Sequence, residues 1–305
     1  MKKNCLVIGF GSIGARHAGV LDKLGMKVSV VSKRTVKGYE SFTTIEQALK
    51  TFQYHYAVIC RPTVDHYQAA LRLETFGFDG CLLIEKPLFE KSGYPPLKLM
   101  NIAVGYNLRF HPMLKKIHGM IQGVKLYSMH VYCGQHLVQW RENRDYRTTY
   151  SASKKSGGGV LRDLSHELDY ICWLTGPWKK VAAKGGRVSD LEIDSDDVFG
   201  LLVETLRCPL VSLQINYLDL YVKREIILNG EGLSIKADLI NDVLEINGNK
   251  KVFQVEKDAT YRDQHKALLF HGTQVACTYD EGFEVLELIE AAEKASKEGV
   301  WIKRK

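Results

Sequence analysis

Two stretches of this 305-residue sequence carry side chains in an order that could do chemistry. In the first, Ile84-Glu85-Lys86-Pro87-Leu88, the lysine follows an apolar run, Cys81 to Ile84, whose length and bounding residues suit a buried strand. Pro87 disfavours the α region for the residue before it, so Lys86 is expected to be extended, with its ammonium at a strand end. In an open parallel sheet the strand carboxyl ends border the ligand crevice, and an ammonium there would face whatever the sheet binds. In the second stretch, Asp163, His166, Glu167 and Tyr170 recur at helical spacing within 161–174. That spacing puts an imidazole between a carboxylate and a phenol at the start of a helix, where it could take or give a proton near neutral pH. The plain alternatives are a surface lysine before a turn and a solvated polar helix face.

The elements that must position Lys86 begin at the amino terminus. A short apolar strand, 5–8, runs into Gly9-Phe10-Gly11-Ser12-Ile13-Gly14, and 15–24 has helical spacing. This is the dinucleotide fingerprint in its required strand-before, helix-after context. Its glycines allow a tight turn, close backbone approach to a pyrophosphate and close helix packing, and Ser12 and Ile13 lie at the helix start that favours phosphate charge. A second strand, 27–31, follows. The acidic residue that would hold an adenosine ribose is expected at its end, but the chain reads Ser32-Lys33-Arg34 and has no carboxylate before Glu40. These three residues read as a pocket for a 2′-phosphate, and hence as a preference for NADP over NAD; the plain reading is a basic surface loop. A helix over 45–51, a strand over 56–60 ending at Arg61-Pro62-Thr63, and a helix over 65–76 complete an alternation that argues for a parallel sheet with helices on both faces.

Beyond Lys86 the pattern changes. A strand at 102–105 enters Tyr106-Asn107-Leu108-Arg109-Phe110-His111-Pro112, and a boundary is expected there, giving a Rossmann domain over 1–103 and a substrate-binding and oligomerisation α/β domain over 104–305. A helix over 113–121 and a strand over 124–132 lead to an aperiodic stretch, 135–153, that holds Trp140, Arg141, Arg144, Tyr146, Arg147 and Tyr150. Long loops inside compact domains are usually functional, and these residues suit substrate binding: arginine forks match phosphates or carboxylates, and aromatic faces match sugar rings. Three glycines, 157–159, precede the helix that bears His166. From 181 to 255 the segments are repeatedly strand-like, with Asn229-Gly230 and Asn247-Gly248 as hairpin turns, which predicts a large, mainly antiparallel open sheet. A sheet with helices on one face leaves the other for a partner subunit, so a homo-oligomer is expected. The last segment, 280–297, is an amphipathic helix.

Composition removes several classes. With 45% hydrophobic and 25% charged residues the chain is that of a globular protein. Its formal charge of +7 is spread along the chain, which argues against a nucleic-acid partner and for anionic small molecules. The seven cysteines form neither a C-x-x-C pair nor a zinc-type spacing, and a reducing cytoplasm is the expected home. The short run after Lys2 and Lys3 does not suit a signal peptide, and no run approaches membrane-spanning length. Asp163, His166 and Asp169 drift around their helix instead of converging, so no metal site is expected.

Together these residues resemble the Gfo/Idh/MocA family of NAD(P)-dependent oxidoreductases. The resemblance rests on the glycine fingerprint followed by Arg16-His17, on Pro62-Thr63 with His66, on Glu85-Lys86-Pro87, on Asn107-Leu108-Arg109-Phe110, and on the triple glycine leading to His166-Glu167-Leu168-Asp169. It implies a Rossmann domain joined to an α/β domain whose open sheet often forms a dimer interface, acting on sugars, sugar nucleotides or cyclitols. It also implies that Lys86 and His166 are the catalytic pair, with Asp163 beside them. Pro62, Thr63, His66, Glu85 and Asn107 would help hold the cofactor, and Arg109 the substrate. An unperturbed imidazole titrates near ~6.5 and an ammonium near ~10.4, so His166 is assigned as base and Lys86 as the charged donor to the reacting oxygen; the alternative is the reverse, with burial and the cofactor's positive charge lowering the lysine pKa. The sequence departs from the family in spacing Asp163 and His166 three apart rather than four, and in a short connection between Lys86 and Ile102 that implies a lost outer helix. The expected function is hydride transfer between nicotinamide and a secondary alcohol or ketone of a nucleotide-linked or acidic sugar. A cofactor-binding sensor without turnover is the alternative, and retention of both Lys86 and His166 favours the enzyme.

Overall fold

A computed structural model describes residues 2–140, 144–271 and 276–304, which fall into two compact units. The first begins with β1 (Asn4–Ile8), α1 (Ser12–Lys23), β2 (Lys27–Val31), β3 (Glu40–Phe42), α2 (Ile45–Thr51), β4 (Tyr56–Ile59), α3 (His66–Thr75), β5 (Cys81–Ile84) and β6 (Ile102–Val104). The central strands are near-continuous apolar runs because both of their faces are buried; Leu6, Val7, Ile8, Ala57, Val58 and Ile59 are fully so. Helix α2 starts where Thr44 caps it, its side chain accepting from the Gln47 amide at 3.2 Å. Strands β1 to β6 pair in parallel in the order β6-β5-β4-β1-β2-β3. Among the described residues no helix lies between β5 and β6, which agrees with the expected loss of an outer helix.

The second unit follows with α4 (Pro112–Met120), β7 (Leu126–Gly134), α5 (Val160–Asp163), α6 (His166–Thr175), β8 (Trp178–Gly186), β9 (Val198–Thr205), β10 (Val211–Asn216), β11 (Lys223–Gly230), β12 (Leu233–Asp238), β13 (Val243–Ile246) and β14 (Asn249–Val252). Its sheet runs β14-β13-β12-β11-β7-β10-β9-β8 and is antiparallel throughout except between β7 and β10, as the hairpin-rich sequence predicts. Residues alternate along its strands: Phe199, Leu201 and Val203 are buried, whereas Leu202 is 44% exposed. Asn247 and Gly248 take φ of +48° and +83°, the left-handed pair of a type I′ turn. The other expected hairpin is displaced. Asn229 and Gly230 stay in β11 with a register shift between them, and the chain turns two residues later, at Gly232 with φ +66°. A Cβ at Gly230 would stand 2.9 Å from the Val124 side chain, so this glycine serves close packing instead of the turn.

The remaining elements are α7 (Ala259–Lys266), β15 (Cys277–Thr278), α8 (Tyr279–Glu298) and β16 (Ile302–Lys303). The sequence pattern places the end of the first domain at 103 and everything after it in the second; the first unit instead comprises Met1–Phe110 and Glu256–Phe283. The reason is apolar. Leu268, Leu269 and Ala276 belong to the same buried cluster as Val7, Val30 and Val58, and β15 adds an antiparallel edge to β6. A second correction concerns the helix expected over 161–174. It is broken at Leu164 and Ser165 into α5 and α6, so the polar stripe read from its spacing is not one helical face.

Candidate functional site

In the first unit the glycine turn is built by backbone proximity. Gly9 has φ +99°, and a Cβ there would lie 2.8 Å from the Cys60 carbonyl oxygen. A Cβ at Gly14 would run into the Gly9 carbonyl, whereas at Gly11 it would meet nothing within 4 Å. Two glycines thus close the turn and the third leaves its outer side open. Ser12 and Ile13 then start α1, whose first turn has no side-chain cap. Uncapped amides at a helix amino terminus beside an open glycine suit a pyrophosphate. At the end of β2, Ser32 Oγ accepts from the Arg34 amide at 3.0 Å, and Lys33 and Arg34 are exposed, with no ion pair among the described residues.

Several residues expected at the cofactor also serve as internal supports. Pro62 precedes a single 3-10 turn, Thr63–Asp65, in which Thr63 is buried. His66 is fully buried, with Nε2 2.8 Å from the Arg61 carbonyl and Nδ1 3.1 Å from that of Pro87 and 3.2 Å from that of Leu88. It staples the end of β4 to the loop after Lys86. Burial lowers its pKa, against the raising effect of those carbonyls. Lys86 itself is half-buried at the end of β5, in a cis peptide bond with Pro87. Glu85 accepts from the Lys86 amide at 3.2 Å and from His17 Nε2 at 2.8 Å. Burial pushes its carboxyl up, but the His17 hydrogen bond and the Lys86 charge bring it below the usual range. Asn107, also buried, donates to Thr260 Oγ1 at 2.7 Å.

Arg109 does not fit its expected role. It is 2% exposed and its guanidinium donates to Glu281 at 2.8 Å, so it anchors the returning segment in the first unit rather than facing substrate. The sequence offered no sign of Glu281 or Thr260, which lie more than 150 positions from their partners.

In the second unit the broken helix divides the expected stripe. Asp163, at the end of α5, is 4% exposed and accepts from Tyr217 Oη at 2.5 Å and from the Tyr150 hydroxyl. Burial and then Asp163 raise the Tyr217 pKa well above the usual phenol value. Trp140 packs edge-on against Tyr217 with ring centroids 5.0 Å apart, so Trp140, Tyr150 and Asp163 are brought together through a tyrosine that the sequence reading missed. His166 opens α6 half-buried. Glu167 and Tyr170 turn inward: Glu167 is 0% exposed and lies 2.8 Å from Arg224 Nε, an ion pair internal to the fold. Arg147 is also committed, its guanidinium forking onto Asp145 at 2.9 Å and reaching Glu192 at 2.9 Å. Tyr146 joins the same corner, its hydroxyl accepting from the Glu192 amide at 3.2 Å. Arg144, exposed, lines a small hollow with Leu137, Trp140, Tyr146, Thr149 and Ser151. Arg141 lies outside the described residues.

Residues 122–236 match the model of the GFO/IDH/MocA C-terminal domain. Over that segment this chain is similar to the C-terminal domain of the Gfo/Idh/MocA family. An uncharacterized oxidoreductase of Synechocystis sp. is 26% identical over 166 residues, 52% of this chain and 44% of that protein, so the alignment spans under half of the relative's length. Three solved structures share the fold. The levoglucosan dehydrogenase complex with NADH and levoglucosan has a TM-score of 0.84 at 15% identity, covering 99% of each chain. GenD2 from gentamicin A biosynthesis, in complex with NAD, has a TM-score of 0.80 at 20% identity, covering 100% of this chain and 97% of that one. The WlbA dehydrogenase from Bordetella pertussis, in complex with NADH and UDP-GlcNAcA, has a TM-score of 0.80 at 17% identity, covering 100% and 99%.

Proposed function

We propose that this chain is a Gfo/Idh/MocA-family, NAD(P)-dependent sugar dehydrogenase or reductase, acting between a secondary alcohol and its ketone. The glycine turn carries the reading: Gly9 and Gly14 are closed by their neighbours, Gly11 is open, and α1 begins uncapped behind them. The three fold relatives are described with NAD or NADH, two of them with a sugar or sugar nucleotide, which supports the same class here. A bound nicotinamide would supply the hydride acceptor or donor. The chain's own groups would do the rest. The amides of Ser12 and Ile13 would hold the pyrophosphate, with Pro62, Thr63 and Asn107 shaping the pocket behind it. Lys86, in its charged form, would orient the reacting oxygen and stabilise developing alkoxide, and His166 would take the hydroxyl proton. Asp163, with both oxygens engaged by phenols, would position neighbouring groups rather than transfer a proton.

Finer features follow from the same residues. Ser32 removes the repulsion a carboxylate would exert on a 2′-phosphate, and Arg34 can clamp one, which favours NADP. Arg144 beside Trp140 and Tyr146 suits a nucleotide-linked or acidic sugar; Arg147, already forked onto carboxylates, suits it less. A homo-oligomer through the open face of the second sheet is supported by exposed Leu202 and Ile227 there, and sedimentation of wild type against Ile227→Lys would test it. Seven cysteines, all free thiols, suit a reducing cytoplasm.

The decisive experiment screens free sugars and sugar nucleotides for a change in nicotinamide absorbance. With a substrate in hand, Lys86→Ala should slow single-turnover hydride transfer by about 10²-fold, as loss of an oxyanion donor does. An unchanged rate would remove Lys86 from the chemistry.

A further inference from the structure

Behind Glu85 the first unit contains a line of buried polar groups that the proposed chemistry does not use. Glu85 Oε1 lies 2.8 Å from His17 Nε2, His17 Nδ1 lies 2.8 Å from His265 Nε2, and His265 Nδ1 lies 2.9 Å from the Tyr56 hydroxyl. His17, His265 and Tyr56 are each 0% exposed. They come from α1, α7 and β4, and Glu85 follows β5, so four separate parts of the chain place four titratable groups in one file. At its open end the file reaches the residue whose carboxylate accepts from the Lys86 amide.

The donors and acceptors in this file can be ordered. An ionised carboxylate only accepts, so His17 Nε2 must carry a proton toward Glu85. Tyr56 keeps its proton, because burial and then the surrounding Cys81, Cys5 and Cys60 thiols raise its pKa well above that of a free phenol. The phenol therefore donates to His265 Nδ1, which leaves His265 its proton on Nε2. That proton points at His17 Nδ1, which must then accept. Every proton is directed toward Glu85, and neither imidazole holds a second one. The opposite polarity would move the His265 proton to Nδ1, require a second proton on His17 and leave the proton of the fully buried Tyr56 hydroxyl to find another acceptor, and a buried donor without an acceptor is costly.

We propose that Tyr56 and His265 are positioning residues that fix the tautomer of His17, keep it a neutral donor to Glu85, and so hold the Glu85 carboxylate and the Lys86 backbone in one arrangement. The part of this that concerns catalysis rests on the reading of Lys86 given above; the tautomer order does not. The other charged or titratable groups facing the file are Arg16, Asp258 and Tyr261. Arg16 lies 3.3 Å from Asp258, and the Tyr261 ring packs edge-on against His17 with centroids 5.3 Å apart. Arg16 also lies over the Tyr261 ring. The Arg16 and Asp258 charges largely offset one another, so neither forces a second proton onto the imidazoles.

The test begins on the wild-type protein, so that no variant need fold. Long-range ¹H–¹⁵N spectra of histidine-labelled protein at pH 7 should show His17 and His265 both protonated on Nε2 alone; a Nδ1-protonated or doubly protonated ring at either position overturns the proposal. Tyr56→Phe should then shift the His265 ring nitrogens toward mixed tautomers and carry the change through to His17. In single turnover it should lower the rate by about tenfold, the equivalent of one net hydrogen bond, and displace the acid limb of the pH profile. His265→Leu should do the same, whereas His265→Gln, whose amide can donate to His17 and accept from Tyr56, should restore the profile. Ring nitrogens and a pH profile unmoved in Tyr56→Phe would leave these residues as packing only. If no nicotinamide cofactor binds while the tautomers stand as ordered, it is the functional reading that fails.

Discussion

The two units secure their site carboxylates with different chemistry. In the first, Glu85 is met by an imidazole and a backbone amide, with a second imidazole and a phenol behind them. In the second, Asp163 is met by two phenols, Tyr150 and Tyr217. Imidazoles titrate within reach of neutral pH and phenols do not, so the first arrangement is sensitive to mild acid and the second is not. Their cations differ in a parallel way. Lys33 and Arg34 stand exposed beyond β2, whereas Arg147, just as exposed, is saturated by Asp145 and Glu192. An exposed guanidinium is available to a ligand only where no carboxylate has reached it first.

Removing the second carboxylate should have the largest effect on stability. Asp163→Ala strips the acceptor from two phenols, one of them fully buried, and should cost about 2–4 kcal/mol in urea denaturation. Asp163→Asn, which can still accept from one phenol, should cost less. Equal losses would mean that the carboxylate's charge, not its geometry, matters.

Mild acid should separate the two units' chemistries. Burial lowers the pKa of His66 and of His265, both in the first unit. For each, the folded state binds fewer protons than the unfolded chain, so the contribution to stability is complete above ~6.5 and is lost as pH falls below it. The expected slope is up to about 1.4 kcal/mol per pH unit for each histidine. His265→Gln should flatten the decline; a decline that begins only in the carboxylate range would contradict the assignment.

The cation comparison yields smaller effects. Arg34→Ala should weaken NADPH binding by about tenfold and leave NADH binding unchanged, since a charge-assisted phosphate contact is lost from one cofactor only. Equal affinities of the wild type for the two cofactors would remove the basis for the NADP preference. Arg147→Ala should bring only a small, salt-sensitive fall in Tm, because an exposed ion pair contributes little. A large loss of substrate affinity would show instead that a ligand displaces Asp145 and Glu192.

Much of this arrangement was legible in the chain itself. The glycine fingerprint, the strand ending at Lys86, the Asn247-Gly248 turn and the mainly antiparallel second sheet all follow from local steric rules and from periodicity, which act within a few residues and so are written in a short window. Pairings across long separations were not written there. Nothing near Arg109 announces Glu281, nothing near Asp163 announces Tyr217, and nothing near His17 announces His265, 248 positions away. The break at Leu164 and Ser165 was equally hidden, because the spacing through 161–174 fits one helix. Sequence alone determined which residues could bind a dinucleotide and move a proton, since that depends on residue type and local backbone. The tertiary structure alone decided which of them remain available, because a buried or ion-paired side chain is claimed by whichever distant partner the packing brings against it.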